Sequence, residues 1–150
     1  MTSLTYETQV KVDKTTAWEW ITSLTGISNE FPSFIKLVVP KGIKSLEDVD
    51  FEPGKPMFRG YGKLFGIIPL PLAYSDLCLM ELEKENGFIE RSEMPLMNLW
   101  QHERCILEKD GATVIRDVLT FEPKFATKIS VRMVDSLFKK RHRNLKAYLG

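Results

Sequence analysis

Three residues in this chain have the types and the spacing to do chemistry in an enclosed place: His102, Arg104 and Asp117. All three fall on one face of a predicted hairpin running from Leu99 to Phe121 and turning at Asp110-Gly111. Asp-Gly between alternating strands signals a two-residue type I′ turn, because glycine tolerates the positive φ the turn requires. The turn sets Lys109 against Ala112, Ile106 against Ile115, Arg104 against Asp117, His102 against Leu119 and Trp100 against Phe121. A three-residue loop would set Arg104 against Arg116 and Glu103 against Asp117. Like charges directly opposite destabilise a strand pair, so the two-residue register is favoured.

The face with Trp100, Ile106, Ile115, Leu119 and Phe121 carries the larger apolar groups and is expected to point inward. Arg104 and Asp117 then need partners, since an unpaired buried charge costs several kcal/mol. They read either as a structural ion pair pinning the sheet or as a polar anchor at the floor of an apolar cavity. His102 is the candidate catalytic residue. A general base needs a substrate proton within reach and a pKa near the operating pH. Arg104 disfavours the imidazolium and Asp117 favours it, and a hydrogen-bonded core histidine is the plainer reading. Ser75 and Ser92 stand in no Gly-x-Ser-x-Gly context, and no third residue completes a nucleophilic triad. No His/Cys/carboxylate spacing predicts a metal and no glycine-rich loop predicts a nucleotide, so no cofactor is expected.

The aromatic residues Phe31, Phe34, Tyr61, Trp100, Phe121 and Phe138 would line one pocket or simply pack a core. Met80, Met97 and Met133 suit an adaptable wall, though methionine fills ordinary cores equally well. Candidate ligand contacts are completed by Arg91, Leu119 and Val134.

Several elements must position these groups. Residues Leu4 to Val12 alternate as a half-buried strand, and Asp13 is an N-cap for a short helix with Trp18, Ile21 and Leu24 on its apolar side, ended by Gly26. Ser28 would cap a second short helix carrying Phe31, Phe34, Ile35 and Val38, stopped by Pro40 and Gly42. Strands follow from Met57 to Phe65 and from Ala73 to Lys84. Asn86-Gly87 then predicts a second tight turn, placing Cys78, Met80, Leu82, Ile89 and Arg91 inward. Residues 64–72 read as a proline-stiffened apolar connection that folds inward, gates a cavity or touches a membrane. From about Lys128 to Leu149, Val134, Leu137, Phe138, Arg141, Leu145 and Tyr148 recur at helical spacing, predicting one long amphipathic helix.

The composition, 43% apolar and 27% charged with net charge +1, is that of a globular domain and selects no acidic partner globally. At 150 residues one domain spanning the chain is expected. Residues 124–150 carry eight Lys/Arg and one Asp, leaving the remainder acidic. A basic helix lying against acidic strands is one reading, and a surface for anionic lipid is another. No nucleic-acid partner is expected. Two cysteines without metal or redox spacing, and no leader segment, fit a cytoplasmic location.

Trp18, Trp100-Gln101-His102, the segment Gly111 to Asp117 and the segment Phe138 to Leu145 together resemble the SRPBCC superfamily of START-like, polyketide cyclase/dehydrase and helix-grip proteins. The segment Gly111 to Asp117 looks like that family's Gly-x-Thr-x-x-x-Asp strand. The resemblance spans nearly the whole chain. It implies an α+β helix-grip fold: about seven curved antiparallel strands wrapped around a long C-terminal helix, with two short helices after the first strand. It also implies binding of a hydrophobic small molecule such as a lipid, quinone or polyketide in an internal cavity. Two alternatives are carried. One is a cyclase or aromatase using His102 as proton shuttle and Arg104 to steady an enolate. The other is a module meeting a membrane or protein through residues 64–72 and the basic helix. A monomer or homodimer is expected.

Overall fold

Strand pairing is anchored where glycine and a short polar residue accept left-handed backbone. Asp110 (φ 51°) and Gly111 (φ 77°) form the predicted turn. The flanking strands pair in the predicted register, Lys109 with Ala112 through Trp100 with Phe121. The computed structural model describes the backbone of residues 1–150 and all side chains except those of residues 69–72.

The chain runs β1 (Thr2–Val10), α1 (Lys14–Thr22), α2 (Leu24–Glu30), β2 (Ile35–Val38), β3 (Pro56–Leu64), β4 (Ile68–Glu83), β5 (Gly87–Arg91), β6 (Met97–Lys109), β7 (Ala112–Pro123) and α3 (Thr127–Leu149). The strands form one antiparallel sheet in the order β1-β7-β6-β5-β4-β3-β2. This is the helix-grip α+β fold, with α3 lying across β1 and β7. Asp13 caps α1 by accepting from the Thr16 N–H at 2.8 Å. Along α3, Val134, Phe138, Arg141, His142, Leu145 and Leu149 are the buried positions, one helical stripe that carries two cationic or titratable side chains inward.

Three local expectations are corrected. Ser23, not Ser28, caps the second helix by accepting from the Gly26 N–H. Gly26 therefore lies inside α2, where a Cβ would come within 2.2 Å of the Trp20 carbonyl oxygen. The segment holding Ile35 and Val38 becomes the edge strand β2.

The β4–β5 turn also differs. Glu83 pairs with Gly87 and Leu82 with Phe88, leaving a three-residue loop in which Glu85 takes the left-handed conformation (φ 66°). The shift turns Phe88 and Glu90 inward instead of Ile89 and Arg91. Arg91 is exposed and its guanidinium donates to the Gln101 side chain at 2.6 Å.

Residues 68–72 belong to β4 and not to a connection. The pairing shifts between Tyr61↔Tyr74 and Lys63↔Pro69, and such an irregularity accommodates prolines that cannot donate to a ladder. Whether the side chains of 69–72 fold inward lies outside the described residues.

Two apolar clusters fill the grip. One joins Val10, Trp18, Ile21, Leu79, Ile115 and Leu145. The other joins Trp100, Leu119, Phe121, Val134 and Phe138. The Arg104–Asp117 rung lies between them in the β6–β7 ladder. Among the described residues, no helix is long and apolar enough to cross a membrane.

Candidate functional site

The belt between the two clusters is an ionic network. Asp117, fully buried, accepts from the Arg104 Nε–H and Nη2–H, both at 2.7 Å. Two imidazoles complete its carboxylate: His102 Nε2 lies 2.6 Å from Oδ1 and His142 Nε2 lies 2.6 Å from Oδ2. The other nitrogen of His142, Nδ1, lies within hydrogen-bond distance of the Thr8 hydroxyl, at 2.7 Å. The remaining donors of Arg104 reach both oxygens of Glu30 at 2.8 and 2.7 Å, tying α2 to β6. Arg141 also donates to Glu30, at 3.2–3.3 Å, and the Asn144 amide donates to the Glu30 carbonyl at 2.8 Å. On the far side of His102, Nδ1 faces Glu90 Oε1 at 3.5 Å, and Ser92 donates to Glu90 at 2.6 Å.

The charges decide the protonation. Three buried carboxylates, Glu30, Glu90 and Asp117, meet two guanidiniums, Arg104 and Arg141. Carboxylates therefore outnumber guanidiniums around the His102 and His142 imidazoles. Burial works against charge on His102, but the Asp117 charge and hydrogen bond, with Glu90 behind them, raise its pKa. Burial likewise opposes an ionised Asp117, and Arg104 and then His102 hold its carboxyl well below the usual carboxylate range. Arg104 is raised despite burial, by Asp117 first and Glu30 second. Arg141 behaves oppositely: burial lowers it, and Glu30 compensates only in part. Its guanidinium instead stacks on aromatic rings, 4.7 Å from the Phe138 centroid and 4.9 Å from that of Phe31.

Arg141 and Phe31 stand behind an open cleft of about 500 Å³ between the α2–β2 segment, the β3–β4 turn and α3. Phe31, Ile35, Leu37, Phe65 and Tyr148 give it apolar surface. Lys36, Lys140 and Asn144 give it donors, and among the described residues no carboxylate lines it. A second concavity, about 460 Å³, lies between β1 and α3, with Thr5, Thr8, Lys139 and Arg143 in its wall. Glu7 in that wall is already held by Lys109 and Arg116.

The residues singled out in the sequence divide accordingly. His102, Arg104 and Asp117 meet in the ionic belt, while Trp100, Leu119, Phe121, Val134 and Phe138 form one apolar cluster beside it. The His102 ring meets Phe138 edge-on at 5.2 Å, which joins the two groups. Phe31 lines the cleft, and Met80 is half-buried in β4. Phe34 (48% exposed) and Tyr61 (37% exposed) point outward, so the six aromatic residues do not line one pocket. The buried indole N–H of Trp100 has no acceptor among the described residues.

Sequence reasoning missed Glu30, Glu90 and His142. His142 was detectable, because it lies four residues after Phe138 on the buried helical stripe.

The chain matches, over residues 8–149, a family model described as a domain of unknown function, DUF8410. It belongs to that family. No curated protein matches it. Among solved structures it is similar to protein CV1439 from Chromobacterium violaceum, at TM-score 0.70 and 8% identity, covering 98% of this chain and 96% of that one. Similarity extends to DynU16, a putative protein of the dynemicin biosynthetic locus, at TM-score 0.58 and 11% identity, with 95% of this chain and 46% of that one covered. Ara h 8.0201 matches at TM-score 0.56 and 10% identity, covering 94% of this chain and 95% of that one. These likenesses show the helix-grip fold.

Proposed function

We propose that this protein binds one small, partly apolar molecule with an anionic end, in the cleft between the α2–β2 segment and α3. The observation that carries the reading is the lining: aromatic and aliphatic surface with Lys36, Lys140 and Asn144 and, among the described residues, no acidic side chain. A volume of about 500 Å³ suits a small ligand, and a wall that mixes aromatic and aliphatic surface with the polar side chains of Ser28, Asn29, Ser33, Lys36, Lys140 and Asn144 suits a molecule that carries both kinds of group. The resemblance to the SRPBCC superfamily and the fold shared with DynU16 and Ara h 8.0201 support a binding or cyclase-like role.

Binding takes precedence over catalysis in this reading. His102 is sealed at 4% exposure with a carboxylate facing each ring nitrogen, so neither nitrogen is open to a substrate. Arg104 has every hydrogen bond directed at Asp117 or Glu30. The pair therefore shapes the wall behind the cleft and leaves the ligand's anionic end to the lysines.

Titration with 1-anilinonaphthalene-8-sulfonate, which combines aromatic rings with a sulfonate, tests the assignment. We expect saturable one-site binding that Lys140→Glu and Phe31→Ala each weaken by about tenfold, the equivalent of about 1.4 kcal/mol. Binding that is absent, or indifferent to both substitutions, would overturn it.

A further inference from the structure

The tip that joins β3 to β4 breaks a rule the other tight hairpin obeys. At Asp110-Gly111 the left-handed positions are held by aspartate and glycine, the residues that tolerate positive φ. At the β3–β4 turn, Phe65 (φ 52°) and Gly66 (φ 71°) take the same conformation, and the Ile67 N–H closes the turn on the Leu64 carbonyl at 3.1 Å. A bulky aromatic residue in the left-handed region is strained. The strain places that ring in solvent: Phe65 is 70% exposed, and Ile67 and Ile68 beside it are 78% and 56% exposed. Phe34 joins them, since its carbonyl accepts from the Phe65 N–H at 2.7 Å and its ring is 48% exposed.

Charge around this apolar tip has one sign. Lys36 and Lys63 stand directly opposite each other in the β2–β3 ladder, a like-charge pairing that weakens a sheet unless an anion offsets it. The Lys36 stem also runs beside Gly66 at the turn. Residues 31–44 contain three lysines and no Asp or Glu. Lys55 and Arg59 are held by Glu52 and Asp76, so among the described residues the charge left without an ion pair at the tip is that of Lys36 and Lys63.

We propose that the joined end of β2, β3 and β4 docks on an anionic lipid bilayer. Phe34, Phe65, Ile67 and Ile68 enter the interface between headgroups and acyl chains, while Lys36 and Lys63 meet lipid phosphates and carboxylates. Apolar insertion together with basic attraction is the combination that gives stable peripheral binding. The docking does not require a filled cleft. It does set the cleft mouth, which Lys36, Phe65 and Gly66 share, against the membrane surface.

Sedimentation of the full chain with phosphatidylcholine vesicles, with and without phosphatidylserine, tests this. Pelleting is expected only with phosphatidylserine and is expected to weaken as salt rises. The double substitution Phe65→Ser/Ile67→Ser is expected to reduce it by about tenfold or more, with an unchanged thermal midpoint because both residues are exposed. In a Phe65→Trp variant, lipid brominated near the headgroup is expected to quench the emission assigned to that tryptophan by subtraction of the parent spectrum. No pelleting, pelleting indifferent to the double substitution, or no such quenching would overturn the proposal. So would self-association that the double substitution abolishes in the absence of vesicle binding, since the tip would then face a second copy of this chain.

Discussion

Arg104 and Asp117 face each other across the β6–β7 ladder and are joined by two hydrogen bonds of 2.7 Å, both residues being at most 1% exposed. A hairpin rung is thereby also the centre of the interior network. Asp117 receives β6 through Arg104 and His102, and α3 through His142. Its carboxylate is the point where sheet and helix are electrically joined.

Asp117→Ala should therefore destabilise the fold by about 3–5 kcal/mol, because it strands a buried guanidinium and two imidazoles together. Urea unfolding followed by tryptophan fluorescence measures this. A midpoint equal to that of the parent would contradict the arrangement.

Stability should depend on pH at both ends. His102 has a folded-state pKa raised by Asp117 and Glu90 against the opposition of burial. Its contribution is complete below the unfolded value of about 6.5 and is lost as pH climbs through the raised folded value. Asp117 and Glu90 are depressed against burial, the first chiefly by Arg104 and the second by His102. Their contribution is complete above an unfolded value of about 4 and is lost as pH falls through the folded values. The urea midpoint at pH 6 should exceed that at pH 9, and His102→Gln should flatten the alkaline decline. An alkaline limb unchanged in that variant would count against the assignment.

Two glycines separate backbone conformation from crowding. Gly111 has φ 77° and open space where a methyl group would stand, so Gly111→Ala should cost only the left-handed penalty, about 1–2 kcal/mol. Gly87 has φ 155°, and a Cβ there would lie 2.3 Å from the Arg104 carbonyl oxygen. Gly87→Ala must push β5 away from β6 at the rung beside the ionic network and should cost about 3 kcal/mol or more. Comparing the two denaturation midpoints checks the order.

Local turn chemistry made the β6–β7 hairpin legible, and with it the Arg104–Asp117 rung, because Asp110-Gly111 and like-charge avoidance select the same register. The Asn86-Gly87 signal misled because Glu85, not Asn86, supplies the left-handed turn residue, and the resulting shift exchanged Arg91 for Glu90 at the interior. Glu30 gave no local sign of its role. It closes α2, and its partners Arg104 and Arg141 lie 74 and 111 residues further along the chain. Charge complementarity between segments so distant in sequence is fixed by tertiary packing and has no periodic trace. The long helix was readable from its apolar stripe, whereas the carboxylates awaiting Arg141 and His142 were not.

Arg141, His142 and Asn144 fasten neighbouring points of α3 to Glu30 and Asp117. Sliding this helix by even one residue would break all three attachments at once and maroon ionised groups in a dry interior. Widening the cleft is therefore the work of its opposite bank, where the short edge strand and the Phe65 turn carry no such moorings among the described residues. Under the proposed binding role, a guest molecule would be admitted by the sheet's rim yielding while the helix stands still.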